Sequence, residues 1–215
     1  MARQTTTRDR LIATASELFW RQGYAQTGVN EIISQAQATS GSFYHFFATK
    51  EDLLLAVVDH VGEQFRSEIF GGGAATTVAD VLERVHHSAS RHEPVLGSPL
   101  GTLAAELAAT HPRVRERIAA HFQSWRQEIE AVLARESHTL TERADRSALA
   151  TTILSLIEGG LLQARVSQNL AAFEASAGHL LTSLRMLETG DSVRSAAAPT
   201  TLSTPTNQPV DWRSW

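Results

Sequence analysis

The 215-residue chain contains no cysteine. That absence excludes disulfide crosslinks, a thiolate nucleophile, a thiol redox sensor and any zinc site built from cysteine. No apolar run approaches the roughly 20 residues that cross a bilayer. The opening Met1-Ala2-Arg3-Gln4-Thr5-Thr6-Thr7 lacks the apolar core of a secretory signal. No membrane partner is expected, and a cytoplasmic protein is the default. Sustained period-2 alternation, the mark of half-buried strands, is missing as well. So are the short catalytic motifs: there is no Gly-x-Ser-x-Gly, His-Glu-x-x-His or Gly-x-Gly-x-x-Gly. His86, His87 and His92 lie close in sequence, but adjacent histidines on a helix diverge and only Glu93 could join them. Neither an enzyme, a metal site nor a cofactor is expected.

What is present describes a globular protein: 42% hydrophobic residues, 20% charged residues and a net charge of -4. The charge is unevenly spread. Residues 1–50 carry five basic groups (Arg3, Arg8, Arg10, Arg21, Lys50) against three acidic ones, leaving the remainder acidic. A mildly positive head on an acidic body orients a protein toward a polyanion without making it adhesive everywhere.

Helical periodicity runs through most of the chain, and the fold class expected is all-α with about nine helices. Thr6-x-x-Asp9 opens the first helix as a capping box, and Leu11, Ile12, Ala15, Leu18 and Phe19 form its apolar face before Gly23 ends it. A short second helix spans Gly28 to about Ala36, and a third spans Thr39 or Ser40 to about Phe46. Thr49-x-x-Asp52 caps a long fourth helix that stops at Gly71-Gly72-Gly73. That triple glycine is a connector; no Walker lysine follows it and no strand precedes it. Beyond it lie a fifth helix (Val78 to Ala89), a short sixth (Leu100 to Ala109), a long seventh opened by Pro112, and two more at about Thr141–Gln168 and Ala171–Glu188. From Thr189 the chain is rich in Ser, Thr, Ala and Pro and reads as a flexible tail, with Trp212 and Trp215 near its end.

Two short helices joined by a tight turn and braced by a longer one form a helix-turn-helix unit. In such a unit Ile32, Ala36 and Phe43 lock the second helix against the third. The outer face of the third must then be small and hydrogen-bonding to enter the roughly 12 Å wide major groove. Here that face offers Thr39, Ser40, Gly41, Ser42, Tyr44 and His45.

These residues resemble the DNA-binding domain of the TetR family of bacterial transcriptional regulators. The resemblance rests on Ala15, Leu18-Phe19, Gly23-Tyr24, Thr27, Val29, Ile32, Ala36, and above all Gly41-Ser42-Phe43-Tyr44-His45-Phe46-Phe47-Ala48-Thr49-Lys50-Glu51. It implies DNA contacts at Thr27, Thr39, Ser40, Ser42, Tyr44, His45 and Lys50, with Arg3 and Arg8 adding charge. The chain departs from the family pattern at Gln37, where a turn glycine is usual, at Ser40, where lysine is common, and at Gly28, where threonine is usual. Gly97–Glu106 resembles the LmrA/YxaF-type branch, which often carries cysteine where Ser98 stands.

The resemblance implies three regions: residues 1–50 as the DNA-binding domain, 51–188 as an effector-binding and dimerisation domain with helix four as connector, and 189–215 as the tail. Leu149, Ile153, Leu156, Gly160, Leu161, Ala164, Phe173, Ala177, Leu181 and Leu184 are the expected dimer face. Gly159-Gly160 within a helix suggests close approach of another backbone. Phe65, His86, Glu106, His121, Phe122 and Trp125 are the candidate lining of a pocket for a small apolar or amphipathic effector. The reading is a homodimeric regulator, most simply a repressor released from a pseudo-palindromic operator on double-stranded DNA. The rival is a ligand-binding or adaptor protein whose head has lost operator specificity.

Overall fold

The structure is a computed structural model and describes residues 6–71, 75, 77–92, 95–136 and 145–189. Arg3 and the tail from residue 190 onward lie outside the described residues, as does Glu93. Among the described residues there are nine helices: α1 Thr7–Gln22, α2 Val29–Gln35, α3 Ser40–Phe46, α4 Lys50–Phe70, α5 Val78–Ser90, α6 Pro99–Leu107, α7 Pro112–Glu136, α8 Arg146–Ser167 and α9 Ala171–Thr189.

Local chemistry marks the starts. Thr6, Thr39, Thr49 and Thr77 each close a reciprocal capping box with the residue three positions on, satisfying two of the orphan amides at a helix N-terminus. Gly28 caps α2 without a side-chain hydrogen bond, as the missing threonine there implies. The eighth helix starts later than the periodicity suggests. Residues 137–144 lie outside the described set, and Asp145 caps α8 by accepting from the Ser147 and Ala148 amides at 2.9 and 3.2 Å.

One continuous apolar core joins the helices. Leu11, Ala15 and Phe19 of α1 meet Ile32 of α2, Phe43 of α3 and Leu53, Leu54 and Val57 of α4, all buried. The body packs α7 against α4 and α8, and α8 in turn against α9. Trp125 is fully buried at its centre, 4.3 Å from the Phe65 ring, with its indole N–H donating to the Gly62 carbonyl at 3.2 Å.

Two expectations are corrected here. By length and composition α8 is apolar enough to cross a bilayer, against the sequence reading. It nonetheless packs between α7 and α9 and carries Glu158 near its middle, which makes it a helix of the bundle. The expected dimer face is also largely internal. Ile153, Gly160, Leu161, Ala164, Phe173, Ala177 and Leu184 are buried within one chain, with Leu149, Leu156 and Leu181 packed partly against the same core. The close approach at Gly160 is intrachain: a Cβ there would lie 2.8 Å from Phe173 Cδ2 and 3.3 Å from its Cα. Gly159 faces open space instead.

Candidate DNA interface and its links to the helical body

The third helix is braced from behind and bare in front. Phe43 is fully buried against α1 and Phe47, whereas Tyr44 is 61% exposed, and Ser40, Gly41, His45 and Phe46 are exposed with it. The aromatic edge contacts of Phe43 with Tyr44 and of His45 with Phe46 stiffen this outer surface. Phe46 was not singled out from sequence; its 39% exposure on an otherwise small polar face is visible only once the helix is seated.

Thr39 and Ser42 lie on the same end but serve the helix first. Ser42 N–H donates to Thr39 Oγ1 at 3.1 Å, Thr39 N–H donates to Ser42 Oγ at 3.0 Å, and Ser42 O–H donates to the Thr39 carbonyl at 2.8 Å. The turn before them holds Gln37 at φ 51°, the left-handed region a glycine would occupy without strain. Arg10 supports that turn, its guanidinium donating to the carbonyls of Ala36 at 3.2 Å and Gln37 at 3.4 Å. Arg8 remains exposed, lying 5.6 Å from the centroid of the Phe47 ring.

Two residues expected at phosphate are turned inward. The Thr27 side chain is buried, donating to the Gly23 carbonyl at 2.7 Å and accepting from Gln22 Nε2 at 3.3 Å. It fixes the α1–α2 turn, and its hydroxyl does not face solvent. Lys50 is half-buried, with Nζ donating to the Tyr24 carbonyl at 2.5 Å and lying 3.9 Å from the centroid of the Tyr24 ring. Burial lowers its pKa, opposed by the nearby charge of Glu106. Tyr24 is raised by burial first, then by Glu51 and Glu106.

Glu106 explains that field. Rather than lining a pocket, its carboxylate accepts the backbone amides of Tyr24 at 2.9 Å and Ala25 at 2.7 Å, latching α6 onto the turn after α1. Gly23, at φ 88°, gives the turn its shape, and a Cβ there would crowd Glu106 Oε2 at 3.1 Å. A second latch comes from Arg165 of α8, which donates to the carbonyls of Trp20 at 3.1 Å and Leu96 at 2.8 Å and to Thr102 Oγ1 at 3.1 Å. Neither role is visible from helical spacing, because each partner is remote in sequence.

The remaining candidate pocket residues do not converge. His86 is partly exposed and paired with Glu174 at 2.8 Å. His121 faces Asp59 at 3.2 Å and packs over Gly62, where any Cβ would collide with its ring. Trp125 is core. Phe65 borders one cavity, of about 330 Å³, between α1, α4 and α5, where Trp20, His60 and His92 also line the wall. Phe122 borders another, of about 250 Å³, between α6, α7 and α8. Glu158 and Ser98 line that second cavity and were missed as site residues. The available signal was one carboxylate in the middle of an otherwise apolar helix.

A buried helix-turn-helix core, an outward α3 and an attached helical body define a DNA-binding regulator rather than an enzyme. Comparison with known proteins makes the assignment specific. Residues 11–57 match the tetR family of bacterial regulatory proteins, and residues 74–179 match the LmrA/YxaF-like C-terminal domain of transcriptional regulators. The chain is 32% identical over 173 residues to the HTH-type regulator YxaF of Bacillus subtilis, covering 75% of this chain and 86% of that protein. It is 31% identical over 168 residues to LmrA of the same organism, covering 75% and 88%. With the HTH-type transcriptional repressor NemR of Escherichia coli it shares 25% identity over 186 residues, 81% of this chain and 92% of that one. The crystal structure of reduced NemR superposes with a TM-score of 0.70, covering 82% of this chain and 95% of that one. The chain belongs to the TetR family of transcriptional regulators, with a C-terminal domain of the LmrA/YxaF type.

Proposed function

We propose that this protein is a homodimeric repressor that reads a pseudo-palindromic operator through α3 and leaves it when a small molecule binds the body. The observation that carries the reading is the polarity of α3: Phe43 is fully buried behind it, while Ser40, Tyr44 and His45 stand exposed in front. The same seating favours Thr39 and Ser42 as supports of the helix end, and Thr27 and Lys50 as residues that place the α1–α2 turn and the start of α4. Helix N-termini still offer amides to phosphate. The relative NemR is named a repressor, and a regulator of bacterial transcription works in the cytoplasm.

Dimerisation is supported by the outer side of α8. Leu162 and Val166 are 58% and 80% exposed, and both Gly159 and Gly178 of α9 face open space, leaving room for a second backbone. Those residues replace the buried set as the proposed interface. Paired α3 helices would then address grooves about 34–36 Å apart.

Selection of duplexes from a random pool, followed by anisotropy titration at several salt concentrations, tests the reading. A preferred palindromic site bound with a log–log salt slope of several units is the expected result. Tyr44→Ala or His45→Ala should weaken the preferred site by about 1–3 kcal/mol and relax its sequence preference. Equal weak binding to all duplexes would favour the adaptor reading.

A further inference from the structure

We propose that the cavity between α6, α7 and α8 is the effector site, and that it takes a small amphipathic amine whose ammonium group is held by Glu158. This rests on the effector-responsive reading above and names the chemistry of its ligand.

Glu158 as a residue is half-buried, but its Oε2 atom is sealed from solvent. Ser98 O–H donates to Oε1 at 3.0 Å; Oε2 has no hydrogen-bond partner among the described residues. Glu158 lines a cavity of about 250 Å³ whose walls also include Gly101, Ala105, Phe122 and Leu162, and Oε2 lies against the Gly101 backbone at its edge. Gly101 is necessary to this arrangement, since any Cβ there would collide with Oε2. A lone acceptor oxygen in mainly apolar surroundings is costly. The other charged group on the wall, Arg165, directs its guanidinium at Trp20, Leu96 and Thr102. No ion pair to Glu158 occurs among the described residues. A ligand ammonium would supply both the missing donor and the missing charge, and its apolar part would lie against Phe122 and Ala105. Burial pushes the Glu158 carboxyl up to about 7, with the Ser98 hydrogen bond opposing it, so ionisation of the site falls near neutral pH.

The cavity is wired to the head. Ser98, the residue on Glu158, caps the start of α6, and near the other end of the same helix Glu106 grips Tyr24 and Ala25. Arg165 touches the cavity on one side and the end of α1 on the other. An occupant that shifts α6 or Arg165 acts directly on the element that orients α3.

The test is calorimetry on the full chain with 2-phenylethylamine and its neutral counterpart 2-phenylethanol. The amine should bind the native protein more tightly at pH 8 than at pH 6, and the alcohol should bind at least tenfold more weakly. Glu158→Gln should reduce amine affinity about tenfold or more, the effect of losing a charge-assisted hydrogen bond. Gly101→Ala, which favours the helix, should do the same by displacing the carboxylate, and it gives a second, independent reading. Equal binding of the amine to native protein and both variants, or equal binding of amine and alcohol, overturns the proposal. So does absence of amine binding with a Glu158→Gln effect on self-association, which would show a second copy filling the cavity. Release of the selected duplex is measured separately. Loss of sequence-specific DNA binding with amine binding intact would sink the regulator reading alone, whereas intact DNA binding without amine binding would sink only the cavity assignment.

Discussion

At the scale of single residues, the folded protein raises the Glu158 carboxyl from its ordinary 4.5 to about 7, mainly through burial. The folded state therefore holds this proton more tightly than the unfolded chain does, and stability falls as pH rises between those two values. Replacing the carboxyl with an amide removes that dependence. Urea unfolding should show Glu158→Gln more stable than the native protein at pH 8 by up to about 3 kcal/mol, with the gap closing toward pH 4.5. An unchanged gap across that range would mean that the carboxylate is solvated in the folded state. Thr27 and Lys50 make the complementary point. Both are polar residues in a motif that faces DNA, yet the nearest carbonyls, of Gly23 and Tyr24, capture them first.

At the scale of the element, α2 and α3 have only seven residues each, too few to hold themselves, so their ends and their buried sides decide whether they form. Thr39→Ala removes the capping box of α3 and should destabilise the protein by about 1 kcal/mol in urea unfolding, with a matching loss of operator affinity. Gly28→Thr is expected to act in the opposite direction. The backbone there is extended and nothing lies near a new Cβ, so a side-chain cap and a stiffer unfolded chain should add about 0.5 kcal/mol. The remaining long-range support is the Glu106 latch. In Glu106→Ala the amides of Tyr24 and Ala25 should exchange with solvent markedly faster than in the native protein, measured by hydrogen exchange, while those of the α4 core stay protected.

At the scale of the whole molecule, the head and body meet through α4, α6 and the Arg165 bonds, so the position of α3 depends on how the body is arranged. A dimer built on the outer side of α8 would set the separation of two such heads. Leu162→Glu with Val166→Glu should convert it to a monomer in sedimentation velocity at micromolar concentration and abolish cooperative binding to a full palindrome, leaving the fold intact because both side chains are exposed. A dimer that persists would move the interface elsewhere.

The all-helical class, the helix order and the outward side of α3 are legible in the chain, because they follow from short-range chemistry: capping pairs such as Thr6 with Asp9 and Thr49 with Asp52, apolar spacing such as Leu11, Ala15 and Phe19, and the dense motif from Gly41 to Glu51. Periodicity says that a residue is apolar and on one face; it does not say which neighbour that face meets. Thus spacing places Gly160 and Phe173 equally well at a second copy or on each other, where they do pack, and it cannot tell Glu106 as a pocket residue from Glu106 holding a turn some eighty residues earlier. Tertiary structure alone could decide these, since burial of Glu158 and engagement of Lys50 are properties of contacts between elements rather than of the elements themselves.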